Sequence, residues 1–494
     1  MEYTKIPSFK TECCNINNSE DCKSFAVSQV ICNHMVLQRE KPICLWGFGS
    51  FEGQLITATI GQTKGNCTVD ENLDWLLELP PMETNTLPQK LIFSDGRQSL
   101  VFDDVLIGDV WVISGQSNAE FFFNSNAQIR ELYDGFLQEA NAVKNIRLLE
   151  QKRLDAVDAP YTMETPQKEF ANPVRSKWKK AESAKAVENF SVIGYSFAEK
   201  LAEALENCIP IGMIMAASDG SAMMELMPME LVEAMGYVKA AREDTPLAGM
   251  YNALMSPIQN MTIKGMIFYQ GESEQWRHKV YPYQLNWYVE ELRRRFKNDL
   301  PFYYVQISSH GGEGFKSWNL LEEVRYRQLE AMDLIKNSHM AVSMDVGWRE
   351  GDCDWAHPHY KRPVGQRLAL LALAKEYGIG SLDYVSSPMP VNFYWAKDYV
   401  KISFNYVGDG LKIMAGNLLT GFEVQNECGS FEPANAQIVD KDTVVILGVQ
   451  KPIAVRYAHM HLAYIENANL GNSEGLPAPA FKKIKKNRSG TIAI

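Results

Sequence analysis

No apolar run in this chain approaches the roughly eighteen residues that a membrane-spanning helix needs. The nearest is LALLALA at 368–374. The opening stretch MEYTKIPSFKTECCNINNSEDCK lacks the apolar core and small-residue cleavage site of a secretory signal, so the expectation is a cytosolic protein with no membrane partner. A leader preceding this chain would instead make it secreted. Cys-x-x-Cys pairs are missing too: nine cysteines, an odd number at irregular spacing, read as reduced thiols rather than a disulfide framework or a zinc ribbon. Cys13 and Cys14 fall in an expected mobile arm, residues 1–23. Blocks of like charge are scarce, the exception being KKIKKNR at 482–488. With 49 Lys and Arg against 60 Asp and Glu, the net charge of −11 argues against nucleic acid or an anionic membrane as the main partner. Nothing in the chain fixes an oligomeric state.

What is present is a 494-residue chain with 46% apolar content, enough for two or three packed units. Residues 24–108 hold short alternating runs (QLITATI, WLLELP, QKLIFS, SLVFDDVLI) between Gly, Asn and Pro turns, the pattern of a β-sandwich. Over 109–378 apolar strands (DVWVISG, IPIGMIMAAS, IKGMIFYQG, PFYYVQIS, HMAVSMDVG) alternate with segments of helical period (YSFAEKLAEALEN, YQLNWYVEELRRRF, YKRPVGQRLALLALAKEYG). Near-continuous apolar strands separated by helices imply an α/β unit, a parallel sheet covered on both faces. Alternation returns over 379–494 as a second β-rich segment.

Ligands of a parallel sheet gather beyond the carboxyl ends of its strands. Three strands end in polar turns: Ser117 follows DVWVIS, Asp219-Gly220-Ser221 follows IGMIMAA, and Gln270-Gly271-Glu272 follows IKGMIFY. A fourth segment, Asp352 to His359, is a loop that leads into a helix. A serine hydroxyl becomes a nucleophile when a base takes its proton and a third group fixes that base. Asp354 lies three residues before His357, a spacing that lets the carboxylate reach one ring nitrogen while the other faces Ser117. The backbone of Ser117 and Gly220 and the side-chain amide of Gln270 are candidate oxyanion donors. Gln116, Asn118, Glu272 and Arg277 are expected to contact the substrate, with Glu272 alternatively bracing the Gln270 loop. Each has a blander reading: a serine in such a turn is commonly a helix cap, Gly220 a turn residue, His357 a cap and Gln270 a loop brace.

The strings SGQSN (114–118), FYQGESE (268–274) and DWAHPHYKRPVGQRLA (354–369), in this order, resemble the sialate O-acetylesterase family of carbohydrate esterases, within the SGNH-hydrolase superfamily. MVLQREKPICLWGFGSFEGQ (35–54), YNALMSPI (251–258) and NLGNSEGLPAPAF (469–481) are similar to its other signatures. The resemblance implies a flavodoxin-like parallel sheet flanked by β-sandwich segments, and a serine esterase that removes O-acetyl groups from sugars without metal or organic cofactor. It implies Ser117 as nucleophile, His357 as base, Asp354 as its partner, and Gly220 and Gln270 as oxyanion donors. Ala119 stands where the family usually has Met, Trp355 where many members have the acid, and Asp219-Gly220-Ser221 where Gly-Gly-Thr is usual. The substrate implied is an acetylated mono- or oligosaccharide: 9-O-acetyl sialic acid is favoured, acetylated xylo- or manno-oligosaccharides are the alternative. A sialate carboxylate would need a cation, with Arg277 the first candidate and Arg349 the next.

Three other readings compete. Asp352, Asp354, His357 and His359 suit a zinc or manganese site. Glu272 with Asp219 or Glu274 suits a two-carboxylate glycosidase. Trp46, Trp75 and Trp395 suit a non-catalytic carbohydrate-binding protein.

Overall fold

The computed structural model describes residues 25–139, 145–151, 164–170, 176–239, 246–311, 320–352, 354–427, 429–459 and 467–485. The arm expected over 1–23, with Cys13 and Cys14, lies outside them. Cys32, Cys44, Cys67 and Cys208 are free thiols. No described helix is long and apolar enough to cross a membrane.

The chain is a mixed α/β structure built on an 11-stranded mixed sheet, with further sheets in its carboxyl-terminal part. Across the main path the strands run Trp178–Lys180, Ile146–Glu150, Ile211–Ala217, Ser99–Gly115, Gly265–Tyr269, Phe302–Gln306 and Ser338–Val342. All but the antiparallel first are mutually parallel. Ile211–Ala217, Gly265–Tyr269 and Phe302–Gln306 are buried at every position, which is why they read as unbroken apolar runs. Period two still sorts their side chains. Met266, Phe268, Phe302 and Tyr304 join one core with Leu285, Tyr288 and Leu292 of the helix Tyr281–Arg295. Ile267, Tyr269, Tyr303 and Val305 join the other, with Val192–Ala204 and Arg362–Glu376.

Local signals start these helices. Ser191 accepts a hydrogen bond from Gly194 N (3.0 Å) at the head of Val192–Ala204. Pro282 and Pro363 occupy the first turns of the other two, where a missing N–H costs nothing.

The boundary expected at 108/109 falls inside a single strand. Ser99–Gly115 pairs with the amino-terminal strands Asn85–Ser94 and Val36–Gln38 along one half and with Ile211–Ala217 and Gly265–Tyr269 along the other. The amino-terminal β unit is therefore not closed on itself. The carboxyl-terminal strands form two four-stranded sheets and a two-stranded ribbon of their own, with the Phe481 ring against Phe393, Phe404 and Phe422.

Val192–Ala204 and Arg362–Glu376 meet closely. A Cβ at Gly365 would lie 2.4 Å from Ile193 O, and Arg362 pairs with Glu199 at 2.9 Å. Alanine is a better helix former than glycine by about 1 kcal/mol, yet the clash should dominate. Gly365→Ala is expected to lower the free energy of unfolding by about 1–3 kcal/mol in urea titrations. A variant as stable as the parent would mean that the two helices separate freely.

Candidate active site

The site is assembled where three parallel strands end. A Cβ on Gly115, whose φ is +134°, would stand 2.0 Å from Tyr269 O, so only glycine lets the two strand ends come this close. Gln116 N donates to Tyr269 O (3.1 Å) and Ser218 N donates to Gly115 O (3.3 Å), joining all three ends. The chain then turns into the short helix Ser117–Glu120. Of residues 116–120, only Ser117 is not buried.

Gly220 and Gln270 are drawn to the same place. Ser273 Oγ donates to Gly220 O (3.2 Å), and the Gln270 side-chain amide donates to Ser221 O (3.3 Å). The Gln270 carbonyl is fixed in turn by Tyr281 Oη (2.9 Å) and Gln328 Nε2 (3.0 Å).

On the fourth segment, His357 Nδ1 meets Asp354 Oδ2 at 2.5 Å, which leaves Nε2 on the opposite edge of the ring. Ala356 N donates to the other carboxylate oxygen (2.9 Å). Burial alone pushes the Asp354 carboxyl up, but the His357 hydrogen bond, the imidazole charge and the neighbouring amides outweigh it and bring it down from 3.8 to about 2. Asp352 pairs instead with His359 Nδ1 (3.1 Å) and accepts from Arg349 N (2.9 Å). The four residues of the metal reading thus form two separate His–Asp pairs. Among the described residues no group of three or more His, Cys, Asp or Glu is arranged to hold a metal ion.

Asn118 Nδ2 donates to Ala356 O (3.3 Å), which holds the His357 loop against the Ser117 turn, and the Phe121 ring lies 6.1 Å from that of His357. The same amide donates to Glu272 Oε1 (2.7 Å), while Asn118 Oδ1 accepts from Lys361 Nζ (2.5 Å). Gln116 Oε1 accepts from Gly271 N (3.4 Å) and Ser273 N (3.3 Å). For Glu272 these are the loop-bracing contacts of the alternative reading. Gln116, Asn118 and Glu272 are buried and hold the loops to one another, because polar atoms at this depth must find protein partners.

Arg277 is committed as well: it donates to Glu274 (3.0 Å) and to Ser273 O (3.0 Å). Glu274 also accepts from Met223 N (2.8 Å); of the carboxylates in the glycosidase reading, Glu272 and Glu274 are buried and Asp219 is exposed. Arg349 is exposed, its guanidinium 3.8 Å above the Tyr360 ring centroid. Ala119 is fully buried beneath the turn. Trp46 and Trp75 are core residues, and Trp395 is half-buried beside an open groove of about 490 Å³ near Tyr394 and Lys483.

Two residues of this cluster escaped the sequence reading. Lys361 and His310 are both buried, and His310 Nε2 lies 3.5 Å from Glu272 Oε1. Burial lowers the His310 imidazole against the pull of Glu272. For Lys361 the signal was its place: it caps the amino end of Arg362–Glu376, where the helix dipole disfavours a cation.

A family described as "SASA: Carbohydrate esterase, sialic acid-specific acetylesterase" matches residues 107–374. The chain is 27% identical over 408 residues to a sialate O-acetylesterase of Homo sapiens, covering 74% of this chain and 73% of that protein. It is 25% identical over 535 residues to the enzyme of that name from Mus musculus, covering 92% and 94%. The structure is similar to a carbohydrate acetylesterase from Xanthomonas citri, with a TM-score of 0.78 and 26% identity over 93% of this chain and 99% of that one.

The Asp354–His357 pair makes a pH prediction. A folded-state carboxyl below its unfolded value contributes stability that is complete above about 3.8 and lost as pH falls through about 2. A ¹³C carboxyl titration should place the Asp354 midpoint near 2. A midpoint at or above 3.8 would mean that the pair is absent in solution.

Proposed function

Because the chain belongs to the sialic acid-specific acetylesterase family of carbohydrate esterases, we propose that it removes O-acetyl groups from sugars through an acetyl-enzyme at Ser117. Carbohydrate O-deacetylation is the activity of the family. Assignment to this serine rests on one observation above the others: the Asp354–His357 pair at 2.5 Å sits on a loop that Asn118 ties to the Ser117 turn.

His357 Nε2 takes the Ser117 proton as Oγ bonds to the acetyl carbon, and Asp354 holds the imidazolium that forms. The oxyanion is met by the amides of Ser117 and Gly220 and by the Gln270 side chain. Collapse breaks the ester bond, and His357 returns its proton to the departing sugar hydroxyl. A water that gives a proton to His357 then attacks the acetyl-enzyme, releasing acetate and restoring Ser117. No step calls on a metal or an organic cofactor.

The strand order supports reading residues 109–378 as an SGNH-type, flavodoxin-like unit between β segments 24–108 and 379–494. With Trp178–Lys180 and Ile146–Glu150 set aside as added edge strands, the order across the sheet is second, first, third, fourth, fifth in the chain.

Ser117→Ala should lower kcat on an aryl acetate by several decades, up to about 10⁶-fold. Asp354→Asn should cost about 10⁴-fold, and Asp352→Asn, whose pair lies on His359, far less. Residual activity above about a tenth in Ser117→Ala, or equal losses at the two aspartates, would remove the mechanism as drawn.

For the sugar, 9-O-acetylated sialate is the reading we favour over acetylated neutral oligosaccharides. Arg349, exposed on its Tyr360 platform, suits the sialate carboxylate better than Arg277, whose charge already faces Glu274. Acetate release from a matched panel should show Arg349→Ala losing about tenfold or more in kcat/KM on the sialate while neutral sugars hold. Equal losses on both, or a strong preference for neutral sugars, would reassign the substrate.

A further inference from the structure

Lys361 is 2% exposed, and among the described residues its ammonium bonds an amide oxygen rather than a carboxylate. Nζ donates to Asn118 Oδ1 (2.5 Å) and lies over the rings of Phe121 and Tyr269, 5.5 and 5.3 Å from their centroids. Its backbone is pinned as well: Lys361 N donates to Tyr133 Oη (3.0 Å), which donates to His359 O (2.6 Å). Desolvation pushes the ammonium down to about 7 even against the pull of Glu272, Asp354 and Asp352. Packing alone does not require such a residue, because an unbranched apolar side chain would fill the same space without the cost of burying an amine.

What the amine does is decide the orientation of an amide. A carboxamide has one acceptor end and one donor end, and here a donor stands on one side while two acceptors, Glu272 Oε1 and Ala356 O, stand on the other. Turned over, Asn118 would present its NH₂ to the ammonium and its oxygen to a carboxylate. We propose that Lys361 is a positioning residue for the Ser117–His357 pair, acting through Asn118, an inference that rests on the esterase reading above. The direction is transmitted through two hydrogen bonds. Lys361 fixes Oδ1, Nδ2 then faces Ala356 O, and that contact sets how far the His357 ring stands from the Ser117 turn. Displacement of reacting groups by about 1 Å is enough for a 10²-fold loss of rate.

A double-mutant cycle on kcat and KM with an aryl acetate tests this. Lys361→Met should lower kcat about 10²-fold and leave KM within about threefold. In an Asn118→Ala background the same change should cost less than about threefold in kcat, because the intermediary is already gone. Losses that multiply across the cycle, or a Lys361→Met enzyme keeping more than about a third of kcat, overturn the proposal. If Lys361→Met does not fold, Lys361→Gln, which keeps a donor on a shorter stem, takes its place, with a smaller loss that must again vanish without Asn118. Ser117→Ala, assayed alongside, separates the two levels. An inactive Ser117→Ala with a fully active Lys361→Met refutes positioning alone, whereas an active Ser117→Ala refutes the esterase reading beneath it.

Discussion

The contact on which the site depends is the approach of Gly115 to Tyr269 O. Any side chain at 115 would place a carbon 2.0 Å from that oxygen, so the absence of one sets the spacing of two strand ends. Gln116 N then bonds Tyr269 O and Ser218 N bonds Gly115 O, so the turns bearing Ser117, Gly220 and Gln270 start from fixed points on one rigid sheet. Groups that must cooperate within fractions of an ångström are better placed by strand ends than by free loops. The His357 segment is the one component that comes from elsewhere, held by the Asn118 side chain and by a backbone bond from Gly311 N to Trp355 O (3.4 Å).

Those attachments explain why polar residues near Ser117 look inward. Gln116, Asn118, Glu272, His310 and Lys361 are all buried, and a buried polar atom without a partner costs more than a surface hydrogen bond gains. Burial raises the Glu272 carboxyl, but His310 and, more weakly, Lys361 outweigh it and hold it below its usual range. A low-polarity surrounding strengthens each of these pairings and penalises each alternative arrangement. The result is an underlayer whose side chains are held chiefly by one another. Ser117 is not part of it: alone among residues 116–120 it is not buried.

Much of this was legible in the sequence, and the reasons differ by element. Buried parallel strands announce themselves as apolar runs, so MIFY and FYYVQ were readable. Ile146–Glu150 was not, because Arg147 interrupts it; the structure buries that charge beside Asp104 at 3.5 Å. Asp-x-x-His spacing singled out Asp354 because three residues of loop are local geometry. The inward roles of Gln116 and Asn118 were invisible, since their partners at 271–273, 356 and 361 lie more than 150 residues away in the chain. The boundary drawn at 108/109 marks a change of pattern and not a break in the chain's course: alternation gives way to unbroken burial at Val105, within a strand that does not stop.

That strand, Ser99–Gly115, carries the amino-terminal hairpins on one half and ends beside Ser117. A fragment beginning at residue 109 would start in mid-strand, stripped of the pairing that sets its register. The amino-terminal unit is therefore no detachable module. Exchanging it for another domain at this junction would redraw the strand that delivers the serine.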